Sequence, residues 1–188
     1  MTRSPRASLH LADADATARL AEALAATQPP GAVVFLHGDL GAGKSTLARA
    51  WLRALGVGGA IRSPTYTLVE PYELAAGGRA LHLDLYRIGG AGELEFLGLD
   101  DPAGVALWLV EWPERGAGAL PAADLEVFLA MVPARAGAGA GGEGSGRSVR
   151  LEPGTPAGHA WLASADLNGQ LRSFPELAPE EVAPDHGN

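Results

Sequence analysis

The sequence predicts an α/β fold of three layers around a central, largely parallel but mixed sheet. Two observations lead to this prediction: continuous apolar runs of strand length, which are typical of strands covered on both faces, and stretches of helical periodicity between them. The chain has 188 residues and is 47% hydrophobic, which suits one ordinary domain with a buried core. We place this domain at residues 1–152 and treat residues 153–188 as a C-terminal extension that is partly disordered.

The first half of the domain is predicted to run helix, strand, glycine-rich loop, helix. A short amphipathic helix is predicted over residues 17–27, where leucines lie four positions apart and a Pro-Pro-Gly sequence follows. Residues 32–36 are continuously apolar and predict a buried strand. A second helix is predicted over residues 45–55, because its large apolar residues recur at every fourth position and Gly56 follows as a C-cap.

The second half of the domain is predicted to consist mostly of strands. Alternating or continuous apolar residues predict them at residues 66–72, 80–88, 105–110, 124–132 and 148–152. A short helix is predicted at residues 93–99. Residues 134–146 are rich in glycine and predict a flexible loop, and the acidic, proline-rich tail from Pro175 is predicted to be disordered.

The composition excludes several classes of protein. The chain has no cysteine, which rules out disulfides, thiolate metal sites and cysteine nucleophiles. Its net charge of -8 argues against a broad basic surface that grips nucleic acid unaided, so any RNA is expected to be held through a partner. No apolar stretch has the length of a signal peptide or a membrane span, and a cytoplasmic location is expected.

A phosphate-binding pattern lies between the predicted strand and the second helix. The stretch HGDLGAGKST contains the Walker A pattern G-x-x-x-x-G-K-[ST] at Gly38, Gly43, Lys44 and Ser45, and Lys44 is the only lysine of the chain. Glycines let backbone N–H groups turn toward phosphate oxygens, the lysine adds a point charge, and the serine hydroxyl can bind a phosphate-associated Mg²⁺. A flexible turn in a glycine-rich chain is the disfavoured alternative. The sequence therefore predicts a P-loop NTPase type of fold that binds a nucleoside triphosphate.

A carboxylate at the end of a neighbouring strand is expected to complete the magnesium site. Glu111 directly follows the apolar run at residues 105–110 and has the better position for the metal. Asp84, in the predicted strand at residues 80–88, is the other candidate and would assist the metal or orient water. His82 is expected to be a polar neighbour on the same face rather than a ligand. The sequence alone leaves both carboxylates open as the direct ligand.

Two further features concern the terminal phosphate and the base. Ser63-Pro64-Thr65 follows the second predicted helix, where related folds carry a segment that senses the terminal phosphate; an ordinary turn is the alternative. Guanine-specific proteins of this class read the base with an Asn-Lys-x-Asp type of element, whereas the asparagines here are Asn168 and Asn188 and the single lysine lies in the loop. ATP is therefore the predicted nucleotide.

Five sequence blocks, taken in order, resemble the TsaE (formerly YjeE) family of bacterial ATPases: GDLGAGKST, SPTYTLVEPYE, LHLDLYRI, ELEFLGLDD and LVEWPER. The resemblance covers about residues 17–132. It implies a P-loop α/β fold and a weak ATPase that serves threonylcarbamoyl-adenosine modification of tRNAs reading codons that begin with adenine. It also implies TsaD and TsaB as protein partners. The ATPase would support turnover of their assembly without transferring the carbamoyl group itself, and it would meet tRNA only through that assembly.

The same resemblance implies roles for residues at matching positions. Phosphate contacts are implied for the whole loop, comprising Gly38, Asp39, Leu40, Gly41, Ala42, Gly43, Lys44, Ser45 and Thr46. Catalytic roles are implied for four residues in separate blocks, namely Lys44, Thr65, Asp84 and Glu111. Among these, Thr65 would act as the switch and Asp84 would take part in hydrolysis.

Magnesium ligands and base contacts are implied as well. Ser45 and Glu111 would bind Mg²⁺, although family members often carry threonine where Ser45 stands, a change that keeps the hydroxyl. Trp112 would lie near the nucleotide and Thr17 near the adenine. The glycine-rich insertion at residues 134–146 and the chain beyond Glu152 extend past the usual compact domain of the family.

Two other functions use the same loop. A small-molecule kinase would bring several basic residues on a mobile lid to the transferred phosphoryl group, whereas Arg79, Arg87 and Arg115 are scattered along the sequence. A non-catalytic scaffold would use ATP binding alone to order residues 63–65 and dock a partner.

Overall fold

The computed structural model describes residues 6–90, 92–94, 104–132 and 146–177. Within them, seven strands and four α-helices follow one another as β1 (Ala7–Leu11), α1 (Ala14–Thr27), β2 (Ala32–His37), α2 (Lys44–Ala54), β3 (Val69–Glu73), β4 (Arg79–Asp84), β5 (Val105–Glu111), β6 (Leu125–Met131), β7 (Arg147–Pro153), α3 (Pro156–Ala163) and α4 (Ala165–Leu171). A short 3-10 helix, Pro113–Gly116, follows β5. Among the helices described, none has the length and apolar character needed to cross a membrane.

The strands form one seven-stranded sheet in the order β1-β7-β6-β2-β5-β4-β3. The central strands β6, β2, β5 and β4 run parallel to one another. The outer pairs β1–β7, β7–β6 and β4–β3 are antiparallel. The predicted α/β fold with a mixed sheet is therefore confirmed, and its parallel part is built around β2, whose C-terminal end leads into the glycine-rich loop.

The two faces of the sheet are covered in different ways. One face packs against the α-helices, and its core includes Leu20 of α1, Trp51 of α2 and Trp161 of α3. The other face carries Val33 of β2 and Trp108 of β5 and packs against apolar side chains that follow β4, namely Leu85, Ile88 and Leu94. Because both faces of β2 and β5 are covered, residues 32–36 and 105–110 are continuously apolar, which is the pattern that predicted these two strands.

The strand predicted at residues 66–72 begins later than the sequence indicated. It is observed as β3, which begins at Val69. The strand starts there because the chain before it forms a turn, in which the Leu68 N–H donates to the Pro64 carbonyl oxygen at 2.7 Å. Leu68 has a positive φ of 66°, which no strand residue adopts. This turn contains Thr65, so the segment expected to act as a switch belongs to a loop rather than to a strand.

Two other predicted elements differ or fall outside the described residues. The strand predicted at residues 80–88 ends at Asp84, because the chain turns immediately afterwards and the Ile88 N–H donates to the Leu85 carbonyl oxygen at 2.9 Å. Most of the helix predicted at residues 93–99 lies outside the described residues, and residues 92–94 form a single 3-10 turn.

The sequence prediction contains no counterpart of β1, α3 or α4. The α3 helix begins after Thr155, whose hydroxyl accepts a hydrogen bond from the Gly158 N–H at 3.1 Å. Trp161 on this helix donates from Nε1 to the Thr27 hydroxyl at 3.0 Å, and its ring centroid lies 6.1 Å from that of Trp51. Residues after position 152 therefore contribute to the same core as α1 and α2.

The tail from Pro175 was expected to be disordered, and its first residues are not. The His10 N–H donates to the Pro175 carbonyl oxygen at 2.9 Å, and the Leu177 N–H donates to the carbonyl oxygen of Ser8 in β1 at 3.0 Å. These bonds satisfy backbone groups on the free edge of β1. The chain beyond residue 177 lies outside the described residues, as does the glycine-rich loop predicted at residues 134–146, apart from Gly146.

Candidate functional site

The glycine-rich loop joins β2 to α2 in a conformation that requires glycine. Gly38 has a φ of 136°, and a Cβ atom there would lie 2.3 Å from the carbonyl oxygen of Leu129. Gly43 has a φ of 109° and forms the N-terminal boundary of α2, which begins at Lys44, one residue before the predicted start. The positive end of the helix dipole therefore points into the loop, an arrangement that favours anions.

Lys44 is buried at the centre of this loop, with 4% of its surface exposed. Its ammonium group donates to the carbonyl oxygen of Gly38 and, at 2.9 Å, to that of Asp39. The same nitrogen lies 3.9 Å from the centroid of the Trp112 ring. Burial lowers the pKa of Lys44, and the negative charges of Glu111 and Asp84 oppose this shift. The site therefore contains a desolvated cation, which attracts an anion more strongly than a solvated one does.

Glu111, at the end of β5, connects this strand to the loop and to β4. The Ser45 hydroxyl donates to Glu111 Oε2 at 2.8 Å. His82 Nε2 lies 2.8 Å from Glu111 Oε1, and both side chains are buried, with 0% and 2% exposed. Both carboxylate oxygens are thus occupied by side chains from different elements, which fixes the orientation of the group.

Asp84 lies directly beside Glu111, because the two residues are paired in register at the ends of the parallel strands β4 and β5. The Thr65 hydroxyl donates to Asp84 Oδ2 at 2.9 Å, and the Tyr86 N–H donates to Oδ1 at 3.1 Å. Ser63 and Thr65 share a hydrogen bond between their hydroxyl oxygens at 2.9 Å. Asp84 is therefore bound to the segment expected to sense the terminal phosphate.

These groups surround one cavity of about 290 Å³. It is lined by loop and helix residues, by the two strand-end carboxylates and by side chains near them: Leu40, Gly41, Gly43, Lys44, Ser45, Thr46, Arg49, Ser63, Thr65, Asp84, Tyr86, Glu111, Trp112 and Arg147. The residues expected to bind phosphate, to bind magnesium and to hydrolyse the nucleotide thus lie together.

Four of the expected residues lie outside that lining. Gly38 and Asp39 offer their carbonyl oxygens to Lys44, and Ala42 is buried with 1% exposed and offers its carbonyl oxygen to Arg147. Thr17 lies fully buried in α1, where its hydroxyl donates to the Asp13 carbonyl oxygen at 3.2 Å. The structure brings the other expected residues together, and Thr17 is not among the residues that line the cavity.

Several side chains of the site were not expected to take part in it, among them the lining residues Arg49 and Tyr86. His82, interpreted from the sequence as a polar neighbour, is a direct hydrogen-bond partner of Glu111. Its alternation with Asp84 along the strand was the available signal. Arg147 of β7 lines the cavity and donates from Nε to the Ala42 carbonyl oxygen at 3.0 Å. It belongs to no recognisable motif, so no local signal could have identified it.

Comparison with known proteins adds a family to this geometry. The sequence model described as "Threonylcarbamoyl adenosine biosynthesis protein TsaE" matches residues 11–136. A Haemophilus influenzae protein named tRNA threonylcarbamoyladenosine biosynthesis protein TsaE is 49% identical over 98 residues, which cover 52% of this chain and 61% of that protein. The match therefore spans less than two thirds of that relative. A Bacillus subtilis protein of the same name is 37% identical over 115 residues, covering 60% and 70% of the two chains.

A solved structure resembles the whole fold. The crystal structure of Bacillus subtilis YdiB matches with a TM-score of 0.64 and covers 92% of this chain and 98% of its own, at 23% sequence identity. This likeness covers nearly the whole chain and supports the arrangement of the fold.

Proposed function

This chain belongs to the TsaE family, whose members take part in the biosynthesis of tRNA threonylcarbamoyladenosine, and on that premise we propose that it serves the pathway as a magnesium-dependent ATPase. The observation that carries the proposal is the hydrogen bond of 2.8 Å between Ser45 and Glu111. It joins the hydroxyl of the Walker A serine to a carboxylate 66 residues away, at the mouth of the loop. This is the pair of groups through which P-loop proteins hold a phosphate-bound metal.

The nucleotide binds through its phosphates. Loop N–H groups and the N-terminus of α2 face the cavity, and Lys44 supplies the positive charge. Trp112 stabilises the ammonium group of Lys44 through its ring. ATP is favoured over GTP because Asn168, an asparagine of the described chain, is occupied in α4, where its amide donates to the Leu162 carbonyl oxygen at 2.8 Å.

The donor set suits magnesium. Ser45 and Glu111 offer a hydroxyl and a carboxylate oxygen, which are hard ligands, and Mg²⁺ commonly takes one or two protein oxygens together with phosphate oxygens. When bound, the ion would neutralise negative charge on the phosphates. His82 holds the carboxylate of Glu111 in place for this role.

Hydrolysis depends on the second carboxylate. Asp84 is a hydrogen-bond acceptor that lines the cavity, and it orients the attacking water. The Thr65 hydroxyl holds this carboxylate by donating to Oδ2. The water oxygen forms a bond to the γ-phosphorus as the bond to the β–γ bridging oxygen breaks. The proton that the water loses is released to solvent, so the products are ADP, phosphate and H⁺. Because Thr65 bonds to Asp84, a movement of the 63–65 segment changes the position of that acceptor.

The ATPase acts in the cytoplasm with TsaD-like and TsaB-like proteins and meets tRNA through that assembly. The net charge of -8 suits protein contacts better than direct RNA binding. The kinase alternative requires basic residues on a mobile lid. Arg79, Arg87 and Arg115 do not line the cavity, and the two arginines that do, Arg49 and Arg147, lie in α2 and β7.

The experiment that tests this proposal is nucleoside analysis of total tRNA. Cells depleted of this protein would be complemented with the wild type, with Lys44→Ala, or with a control variant, Arg53→Ala, at the exposed last turn of α2. We expect threonylcarbamoyladenosine to be lost on depletion and restored by the wild type and the control but not by Lys44→Ala. Full restoration by Lys44→Ala would contradict a nucleotide-dependent role.

The ATPase step needs its own measurement. Modification would be followed over many turnovers in a reconstituted TsaB and TsaD system with ATP or with a nonhydrolysable analogue, the analogue replacing only the ATP that this protein uses. A strict need for hydrolysis supports the proposal. Sustained turnover with the analogue would favour the nucleotide-dependent scaffold instead.

A further inference from the structure

Arg147 reaches the phosphate-binding loop from a distant part of the chain. It is the first residue of β7, and its Nε–H donates to the carbonyl oxygen of Ala42, 105 residues earlier, at 3.0 Å. Its side chain lies so close to Gly43 that a Cβ atom on that glycine would come within 2.7 Å of Nε. Arg147 also lines the 290 Å³ cavity together with Lys44 and Ser45.

Most of the hydrogen-bonding capacity of Arg147 is unused. A guanidinium group has five N–H donors, and within the described part of the chain its one hydrogen bond uses Nε. No carboxylate among the described residues forms an ion pair with Arg147, whereas Arg6 and Arg150 both pair with Glu152. A cation in a cavity with free donors and no acidic partner is suited to an anionic ligand.

The bond to Ala42 also orients the loop. All described peptide bonds are trans, so the carbonyl oxygen of Ala42 and the N–H of Gly43 point in opposite directions across one planar unit. By holding that oxygen, Arg147 fixes the direction of the Gly43 N–H. Amide groups of this kind are the ones that phosphate-binding loops use.

We propose that Arg147 is a phosphate-binding residue of the site, a cation besides Lys44 whose remaining N–H groups bind oxygen atoms of a polyphosphate. Arg49 also lines the cavity, but it is exposed, whereas Arg147 is half-buried. The proposal rests on the proposed function, because it takes a nucleoside triphosphate to be the ligand. Arginine suits this role since its planar donor pair matches two phosphate oxygens at once, whereas lysine acts as a point charge.

Binding measurements on the full chain test this assignment. The probes are ATP and inorganic tripolyphosphate, titrated by calorimetry in EDTA so that metal ligands do not contribute. The variants are Arg147→Gln and Arg147→Lys. The control is Arg150→Gln, which removes the same charge from the same strand at a residue that packs 4.3 Å over the Phe128 ring and does not line the cavity.

We expect Arg147→Gln to weaken both probes by about tenfold, because hydrogen bonds to charged groups are lost. Arg147→Lys should recover part of this loss, and Arg150→Gln should bind within about twofold of the wild type. Melting temperatures without ligand separate binding from folding, and the lysine variant keeps the test valid if the glutamine variant unfolds. Wild-type affinity in Arg147→Gln, or equal losses in both glutamine variants, would overturn the assignment. A wild-type protein that binds neither probe in EDTA and does not bind ATP when Mg²⁺ is added would instead overturn the proposed function.

Discussion

Asp84 and Glu111 occupy equivalent positions in the sheet but have different partners. They are paired in register at the ends of adjacent parallel strands, and both are buried, with 5% and 2% exposed. Glu111 bonds to Ser45, at the start of a helix, and to His82, in the neighbouring strand. Asp84 bonds to Thr65, in a turn, and to a backbone N–H. Position in the sheet brings both carboxylates to the cavity, and their partners distinguish their roles.

The difference concerns rigidity as well as chemistry. Ser45 and His82 belong to elements packed in the core, so Glu111 cannot move without leaving buried polar groups unpaired. Thr65 belongs to a half-buried turn, and turns open at lower free energy than helices and strands do. We therefore interpret Glu111 as the fixed carboxylate of the site and Asp84 as the one whose surroundings can change.

Removing the charge of Glu111 should have the largest effect on ATP hydrolysis. We expect Glu111→Gln to lower magnesium-dependent ATP hydrolysis by about a hundredfold, because a negative metal ligand is lost while the side chain keeps its shape. ATP affinity in EDTA should stay within about twofold, since the loop binds the phosphates. Phosphate release measured across a magnesium titration checks this, with Glu114→Gln, an exposed neighbour, as the control. Full activity in Glu111→Gln would refute the assignment.

Asp84→Asn should affect hydrolysis differently. We expect the turnover number to fall by about thirtyfold, because an amide orients water less well than a carboxylate does. The magnesium concentration for half-maximal rate should stay within about twofold of the wild type, because Glu111 and Ser45 are intact. If that concentration rose as much as it does in Glu111→Gln, the two carboxylates would share one role.

His82 tests whether Glu111 must be held in place. We expect His82→Met to weaken metal binding by about tenfold, as is typical when the partner of a metal ligand is removed. His82→Gln, which can place an amide N–H near the position of Nε2, should restore most of the affinity. Electron paramagnetic resonance with Mn²⁺ and ATP measures this without turnover. Equal losses in the two variants would show that the histidine acts by packing alone.

The smallest effect is expected at the turn. Thr65→Val removes the hydrogen bond to Asp84, which is worth about 1 kcal/mol, and should lower the turnover number by about fivefold. Thr65→Ser keeps the hydroxyl and should stay near the wild type. Steady-state kinetics of both variants at saturating magnesium check the prediction. A loss in Thr65→Ser as large as in Thr65→Val would assign the effect to the methyl group.

The sequence predicted the parts of the site that depend on local pattern. The apolar strand, the glycines and Lys44 lie within a few residues of one another, and the end of an apolar run marks Glu111 as a strand-end carboxylate. The bond between Ser45 and Glu111 joins residues 66 positions apart, so only the order of strands in the sheet determines it. Arg147 lies still further along the chain and has no motif.

Among the elements that the sequence did not predict, α3 shows the physical reason most clearly. The α3 helix contains a proline, a glycine and a histidine and has little amphipathic pattern, and its stability comes from tertiary contacts of Trp161 with α1 and α2. The base contact implied for Thr17 stays a prediction. In the structure the Thr17 hydroxyl donates to a backbone carbonyl oxygen at the start of its own helix.

The pairing of β1 with β7 has a consequence for synthesis of the protein. Ala7 is paired with Leu151, so β1 leaves the ribosome long before its neighbour β7 has been translated. Until then β1 is a short amphipathic segment without a sheet, and β2 likewise waits for β5 and β6. Contacts of such long sequence separation slow folding. The nascent chain must therefore keep its N-terminal segment from pairing wrongly for most of its elongation, a period in which chaperones have access to it.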